Sequence, residues 1–367
     1  MAINRRQFIA LAGASATLSL ANVVGATDPP RFLSSRYYPK RKQYVAVIAD
    51  QNGQSLREVV LPDRCHDVIP RPRRFEAVAI ARRPGNFAIV FDIKKAKPLF
   101  EFKSPSTRHF QGHAIFDSRG ILLFTTENDF DQSRGVIGIY DATDSYRRLG
   151  ELPSHGIGAH ELAFLPDCRT LVVANGGIIT HPDTGRTKLN IPTMRPSLSY
   201  VDAFSGELKA RWMPMEARQC KLSIRHLGVR SDGVVAYACQ DQGPKANILP
   251  LVGIHHQYWR NAVFLQASQA SLEAMQGYLG SISWDTSGNL IAASAPRGDI
   301  ITIWDAATQY LTDTIILPDA CGVTAGAKPG SFVGSSGQGK FINWPRPSNF
   351  SGQDAIPWDN HISRISS

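Results

Sequence analysis

Residues 112–129 read GHAIFDSRGILLFTTEND. Two apolar runs flank a DSRG turn, the pattern of a β-hairpin. One strand opens on His113. The other closes on Glu127, Asn128 and Asp129. In an antiparallel pair those ends lie side by side, so the hairpin gathers an imidazole and two carboxylates at one end.

The layout recurs. CHDVIPRPRRFEAVAIARRPG, AHELAFLPDCRTLVVANGG, RHLGVRSDGVVAYACQDQG and LGSISWDTSGNLIAASAPRG each show strand A, a polar turn, strand B and a polar or Gly-containing exit. A shorter copy, CGVTAGAKPGSFVGSSGQG, follows. A second hairpin type alternates with the first, with an apolar strand C ending in Asp50, Asp92, Asp141, Asp202 or Asp305. PLVGIHHQYWRNAVFL takes the same place without the Asp. A period of roughly 40–60 residues is that of four-stranded propeller blades with variable loops. Blades are expected at about 65–103, 109–152, 159–214, 222–267, 278–317 and 321–345, from strand patterns in the sequence.

The termini are left over. Residues 32–61 supply three strands but no first one, and DNHISRI at 359–365 supplies one strand with His361 placed like His66 and His113. The expected fold is all-β, a seven-bladed β-propeller. The C-terminal strand serves as strand A of the first blade and closes the ring, which removes exposed sheet edges. Six blades is the alternative, because the copy after Cys321 is thin. Residues 27–367 then form a single propeller domain.

Strand A lines the channel of a propeller and starts where strand B ends, so both sets of ends meet at one mouth. The starts of strand A carry His361, His66, His113, His160 and His226 in five consecutive blades; Ser281 takes the sixth place. His160 is one residue out of register and needs a β-bulge to point inward. The strand B exits add Arg82, Arg83, Glu127, Asn128, Asp129, Asn175, Gln240, Asp241 and Arg297 as candidate ligand-binding residues. The five histidines are candidate metal ligands on an exposed rim, for a transition metal such as Fe or Cu. The competing reading is structural. In WD-type propellers a Gly-His pair ties strand A into its own blade, and Gly112-His113 with Trp304-Asp305 fits that pattern. Asn175-Gly176-Gly177 reads as a turn needing positive φ. His181-Pro182-Asp183-Thr184-Gly185 reads as a solvated loop turn, and His255-His256 as an incidental pair.

The N-terminus, NRRQFIALAGASATLSLANVVGA, carries Arg5-Arg6, a weakly apolar stretch and a small-residue site ending at Ala26. It reads as a twin-arginine export signal over residues 1–26, which places the mature chain in the periplasm without a transmembrane anchor. Removing it takes two arginines and no acid from a chain of net charge +9, leaving +7. The positive charge is scattered, with no basic helix, which argues against nucleic acid as a partner. Five cysteines occur without CxxC or CxxCH spacing, so redox and covalent-haem motifs are absent. Cys220 and Cys239 are the pair placed to bond if any does, and Cys168 is expected free. No nucleophile elbow, Walker loop or HExxH occurs.

Taken together, CHDVIPRPRRFEAVAIARRPGNFAIVFD, TTENDFDQSRGVIGIYD, GIGAHELAFLPDCRTLVVANGGI, LSIRHLGV, SAPRGDIITIWD and PWDNHISRI resemble the domain-of-unknown-function family 1513 of exported bacterial proteins. Cys65 departs from the Gly usual before the first histidine. The resemblance implies a propeller and a role in iron acquisition, with imelysin-like iron-uptake proteins or a di-haem oxidoreductase as partners. The functional expectation is a non-enzymatic propeller that binds a metal or metal complex, or docks partners, at a His-rich mouth. The alternatives are a lactonase-like or quinoprotein-like propeller enzyme and a pure interaction scaffold.

Overall fold

The computed structural model describes residues 31–244, 246, 248–345, 350–351 and 356–365, so the expected export signal lies outside the described residues. It contains seven four-stranded antiparallel sheets, the blades of a β-propeller. Blade 1 is built from Ser363–Ile365, Arg31–Tyr38, Gln43–Ala49 and Ser55–Leu61. Blades 2 to 6 begin with strands A at Cys65–Pro70, Arg108–Phe116, Ala159–Phe164, Leu222–Val229 and Ser281–Trp284. Blade 7 begins at Ala320–Ala325. The six-blade alternative is excluded. The thin seventh blade is completed by a two-residue strand, Phe350–Ser351, paired with Lys340 and Phe341, too short to leave a sequence pattern.

The alternating Asp residues have a local cause. Each one that ends a strand C accepts backbone N–H groups of the turn after it: Asp50 from Asn52 and Gln54, Asp92 from Lys95, Asp141 from Thr143, Asp202 from Phe204 and Ser205, and Asp305 from Thr308. A carboxylate thus satisfies donors that no strand can reach, and the C–D hairpin is fixed. In blade 5, where the Asp is missing, His255 does similar work: its Nε2–H donates to Trp259 O at 3.1 Å, and its Nδ1 accepts from Tyr200 at 2.7 Å. His255 is therefore a core residue between two blades. His181 accepts from the Asp183 N–H in a one-turn 3₁₀ segment, the loop turn expected. Gly177 has φ +74°, as the turn reading required.

The core lies between blades. One apolar cluster joins blades 4, 5 and 6 through Tyr200, Tyr237, Trp284 and Trp304, and another joins blades 1 to 3 through Ile48, Ile80, Phe91 and Phe110. The outermost strands, such as Lys97–Lys103, are mostly exposed. The five cysteines are free. Cys239 is buried in strand B and Cys220 donates to Pro214 O at 3.3 Å, so the pair named from sequence does not bridge. One short α-helix spans Gln269–Ala274. No helix of the described residues is long and apolar enough to cross a membrane.

Ring closure rests on a short segment. Ser363–Ile365 pairs with Arg31–Leu33, and Trp358 and Ile362 pack with Phe32, Val333 and Phe341 across blades 1 and 7. Arg64 holds Asp359 through two hydrogen bonds of 2.7 Å. Two large apolar side chains contribute about 1.5–3 kcal/mol each on burial. Deleting residues 358–367 should therefore lower the melting temperature by about 10 °C or more, or abolish cooperative unfolding. Calorimetry checks this; a truncated chain that melts with the full one would contradict closure by this strand.

Candidate functional site

Strand A is bulged where it meets the channel. Its pairing with strand B skips His66 between Cys65 and Asp67, His160 between Ala159 and Glu161, and Arg225 between Ile224 and His226. In blade 3 three residues are skipped, Gln111, Gly112 and His113. The extra residues turn side chains inward at the rim. Gly112 makes the widest of these possible: its φ is +110°, and a Cβ there would lie 2.3 Å from the His66 ring.

This bulge corrects the reading of the opening hairpin. The residue opposite Asn128 is His109 and the one opposite Glu127 is Phe110, so His113 is pushed past them into the channel. Glu127, Asn128 and Asp129 stay in blade 3. Glu127 accepts hydrogen bonds from Thr125, Tyr140 and Arg148 at 2.9, 2.8 and 2.7 Å. Asn128 donates to His109 and to Thr180 O, and Asp129 pairs with Arg108 and Arg134. Asn175 donates to Ser154 O, Ser197 and Ser199, and Asp241 pairs with Arg218. None of these five lines the channel mouth, whereas Arg82, Arg83, Gln240 and Arg297 do.

The histidines are brought together. His113 lies with its ring centroid 4.8 Å from His66, 5.0 Å from His160, 5.6 Å from His226 and 4.6 Å from His361. His226 and His361 meet across the axis at 4.9 Å. The rim expected to be exposed is instead a plug, since each of the five is at most 9 % exposed. The ring-nitrogen partners of four of them lie on neighbouring blades. His113 Nδ1 is 3.3 Å from Asp67, His226 Nδ1 is 2.9 Å from Glu161, His66 Nδ1 is 2.9 Å from the Asn360 amide, and His160 Nδ1 is 3.4 Å from Arg225. The WD-type arrangement, which ties the ring into its own blade, is not formed by these contacts. His66, His113 and His361 each keep a buried Nε2 without a hydrogen-bond partner. Two triads, His66-His113-His160 and His113-His226-His361, each bring three ligand atoms within 4.8 Å of one another.

Asp67 and Glu161 were missed in the sequence. Their signal was there: an acid follows the bulged histidine in both CHDV and AHEL. Burial pushes the Glu161 carboxyl up to about 7 against the pull of His113. Burial alone would raise Asp67 too, but the hydrogen bond from His113 holds it below the usual carboxylate range. Burial pushes His113 down, and the carboxylates of Glu161 and Asp67 outweigh it and raise the ring above its ordinary value. Burial first, then neighbouring cations and imidazoles, push His66, His160, His226 and His361 well below theirs.

A histidine held neutral by folding binds protons only when unfolded, so its contribution to stability is lost as pH falls below about 6.5. His113 and Glu161, both raised, act in the opposite sense, but four groups outweigh two. Metal-free protein should melt several degrees lower at pH 5 than at pH 7, and His361→Gln should flatten that slope. Thermal melts across pH check this, and an unchanged or rising melting temperature toward pH 5 would contradict it.

Above the plug lies a basin of about 550 Å³ with His66, His160 and His226 in its floor. Its walls carry Arg82, Arg83, Arg186, Lys188, Arg225 and Arg297. Burial, together with the other cations, lowers Arg83 to about 9 and Arg82 to about 10; burial does the same to Arg225, also to about 10. All three stay charged at neutral pH.

The fold is similar to those of several solved structures. The Kuenenia stuttgartiensis hydrazine synthase chain aligns with a TM-score of 0.62 at 12 % identity, covering 87 % of this chain and 96 % of that one. Chaetomium thermophilum Raptor aligns at 0.57 and 12 %, covering 78 % of this chain and 24 % of that one. A chain of a mitotic checkpoint complex aligns at 0.56 and 12 %, covering 96 % and 88 %. At such identity the likeness is one of fold alone. No curated protein matches the sequence. The family model described as "Protein of unknown function (DUF1513)" matches residues 59–365. That match takes in blades 2 to 7 and the closing strand, and the chain belongs to the DUF1513 family.

Proposed function

We propose that the protein is a non-enzymatic periplasmic propeller that binds a transition metal in the histidine plug and serves iron acquisition. The observation that supports this most is the pair of histidine triads sharing His113. Several buried imidazoles packed without hydrogen-bond partners on Nε2 are poorly explained by packing, since unsatisfied buried polar atoms cost about 1–3 kcal/mol each. Asp67 and Glu161 fit the role of supporting carboxylates. By accepting Nδ1–H from His113 and His226 they leave the Nε2 lone pairs of those rings for a metal. With its amide turned about, Asn360 does the same for His66. Imidazole donors with nearby carboxylates suit Fe, Cu or Zn and not a calcium centre of the lactonase kind, which needs several carboxylates and carbonyls.

The twin arginine and the Ala26 site of the sequence support the periplasmic location. The link to iron, and to imelysin-like proteins or a di-haem oxidoreductase as partners, comes from the family resemblance.

His113 belongs to both triads, so His113→Ala tests the reading. Because the ring is buried, the variant should lose stability even without metal. The deciding quantity is the metal-dependent shift. Saturating Fe(II) or Cu(II) at about 100 times the dissociation constant should stabilise the wild type by about 2.7 kcal/mol and the variant hardly at all. Calorimetry with and without metal measures both. A wild type whose melting ignores these metals would leave the plug as a purely structural device.

A further inference from the structure

The basin above the plug is built from cations gathered from separate elements. Arg82 and Arg83 follow strand B of blade 2 (Glu76–Ala81), Arg186 and Lys188 stand on the loop between residues 176 and 196, Arg225 is the bulged residue of blade 5, and Arg297 follows strand B of blade 6 (Leu290–Ala295). The two acids of the basin wall are Asp319 and Asp359, and Arg64 already holds Asp359. None of the six cations forms an ion pair with a carboxylate among the described residues. Their contacts are weak or neutral: Arg83 reaches Thr180 Oγ1 at 3.5 Å, Arg297 lies 4.4 Å over the Tyr278 ring, Lys188 donates to Gln242 Oε1, and Arg225 reaches His160. Arg225 is 8 % exposed, and its Nε has no partner.

Like charges converging on one concave surface repel, which opposes folding unless something fills the space between them. Guanidinium forks match carboxylate and phosphate oxygens two at a time. A volume of about 550 Å³ is that of a small-molecule site. We propose that this basin is a binding site for a small polyanion carrying several carboxylate or phosphate groups, held by Arg82, Arg83, Arg186, Lys188, Arg225 and Arg297. The site is formed by the protein alone and does not need a metal in the plug, so each reading can fail without the other.

Isothermal titration of EDTA-treated full-length mature protein with citrate, and separately with pyrophosphate, tests this. At least one of the two should bind with a dissociation constant below about 1 mM at low salt, and the tighter one tells carboxylate from phosphate recognition. Raising salt from about 50 to 500 mM should weaken binding at least about tenfold in the wild type, a measurement that needs no variant. Arg83→Gln combined with Arg297→Gln should weaken it at least about tenfold. Arg297→Lys, which keeps the charge, should weaken it less. Absence of binding by both anions up to about 10 mM, binding indifferent to salt, or a double variant within about twofold of the wild type would overturn the proposal. None of these measurements involves the metal-dependent melting shift.

Discussion

A ring of seven twisted sheets leaves a hole on its axis, and what fills that hole decides the rest. Here five imidazoles fill it. Apolar side chains would have served for packing, as they do between the blades, so a plug of titratable rings is costly unless each ring is kept neutral or paired. The structure does both. Four rings are driven neutral by burial and by one another, and the fifth, His113, is held by Asp67 and Glu161. Bulges in strand A, the positive φ of Gly112 and the placing of His361 by the closing segment all serve to bring these rings to one point.

One of these bulges also serves the basin, whose other cations follow strands B or stand on a loop. The bulge takes Arg225 out of the ladder, where it lines the basin, while His226 stays paired opposite Ala238. The outcome is a layered channel, with cations above and imidazoles beneath. An anion entering the mouth meets the arginines first, and a cation bound in the plug would lie beneath that anion. In this geometry a negatively charged metal complex could be met by both layers at once, which joins the two readings chemically while leaving their tests separate.

Much of the fold was legible in the sequence, for reasons that are local. Strand alternation and the Asp that caps five of the seven C–D turns are written in neighbouring residues, so blades and their number could be read. Ring closure was legible because an orphan strand at one terminus matched a gap at the other. Phe350–Ser351 was not, since two residues carry no period. The site was legible only in part. The five histidines could be found from their repeated place, but the turn of Glu127, Asn128, Asp129, Asn175 and Asp241 into hydrogen bonds and ion pairs away from the mouth depends on bulge length and cross-strand partners such as Arg148 and Arg218. Arg186 and Lys188 come from a long loop whose path no pattern announces. Asp67 and Glu161 were visible only as acids trailing a histidine, a signal that gains meaning once the bulge is known.

In the proposed function the buried imidazoles ligate a metal directly. X-ray absorption spectroscopy of the Fe- or Cu-loaded protein reads this without a variant. Direct ligation should give a first shell with nitrogen at about 2.0–2.2 Å and the multiple-scattering signature of at least three imidazole rings. A shell of oxygen alone, with no imidazole scattering, would place any metal elsewhere and contradict it.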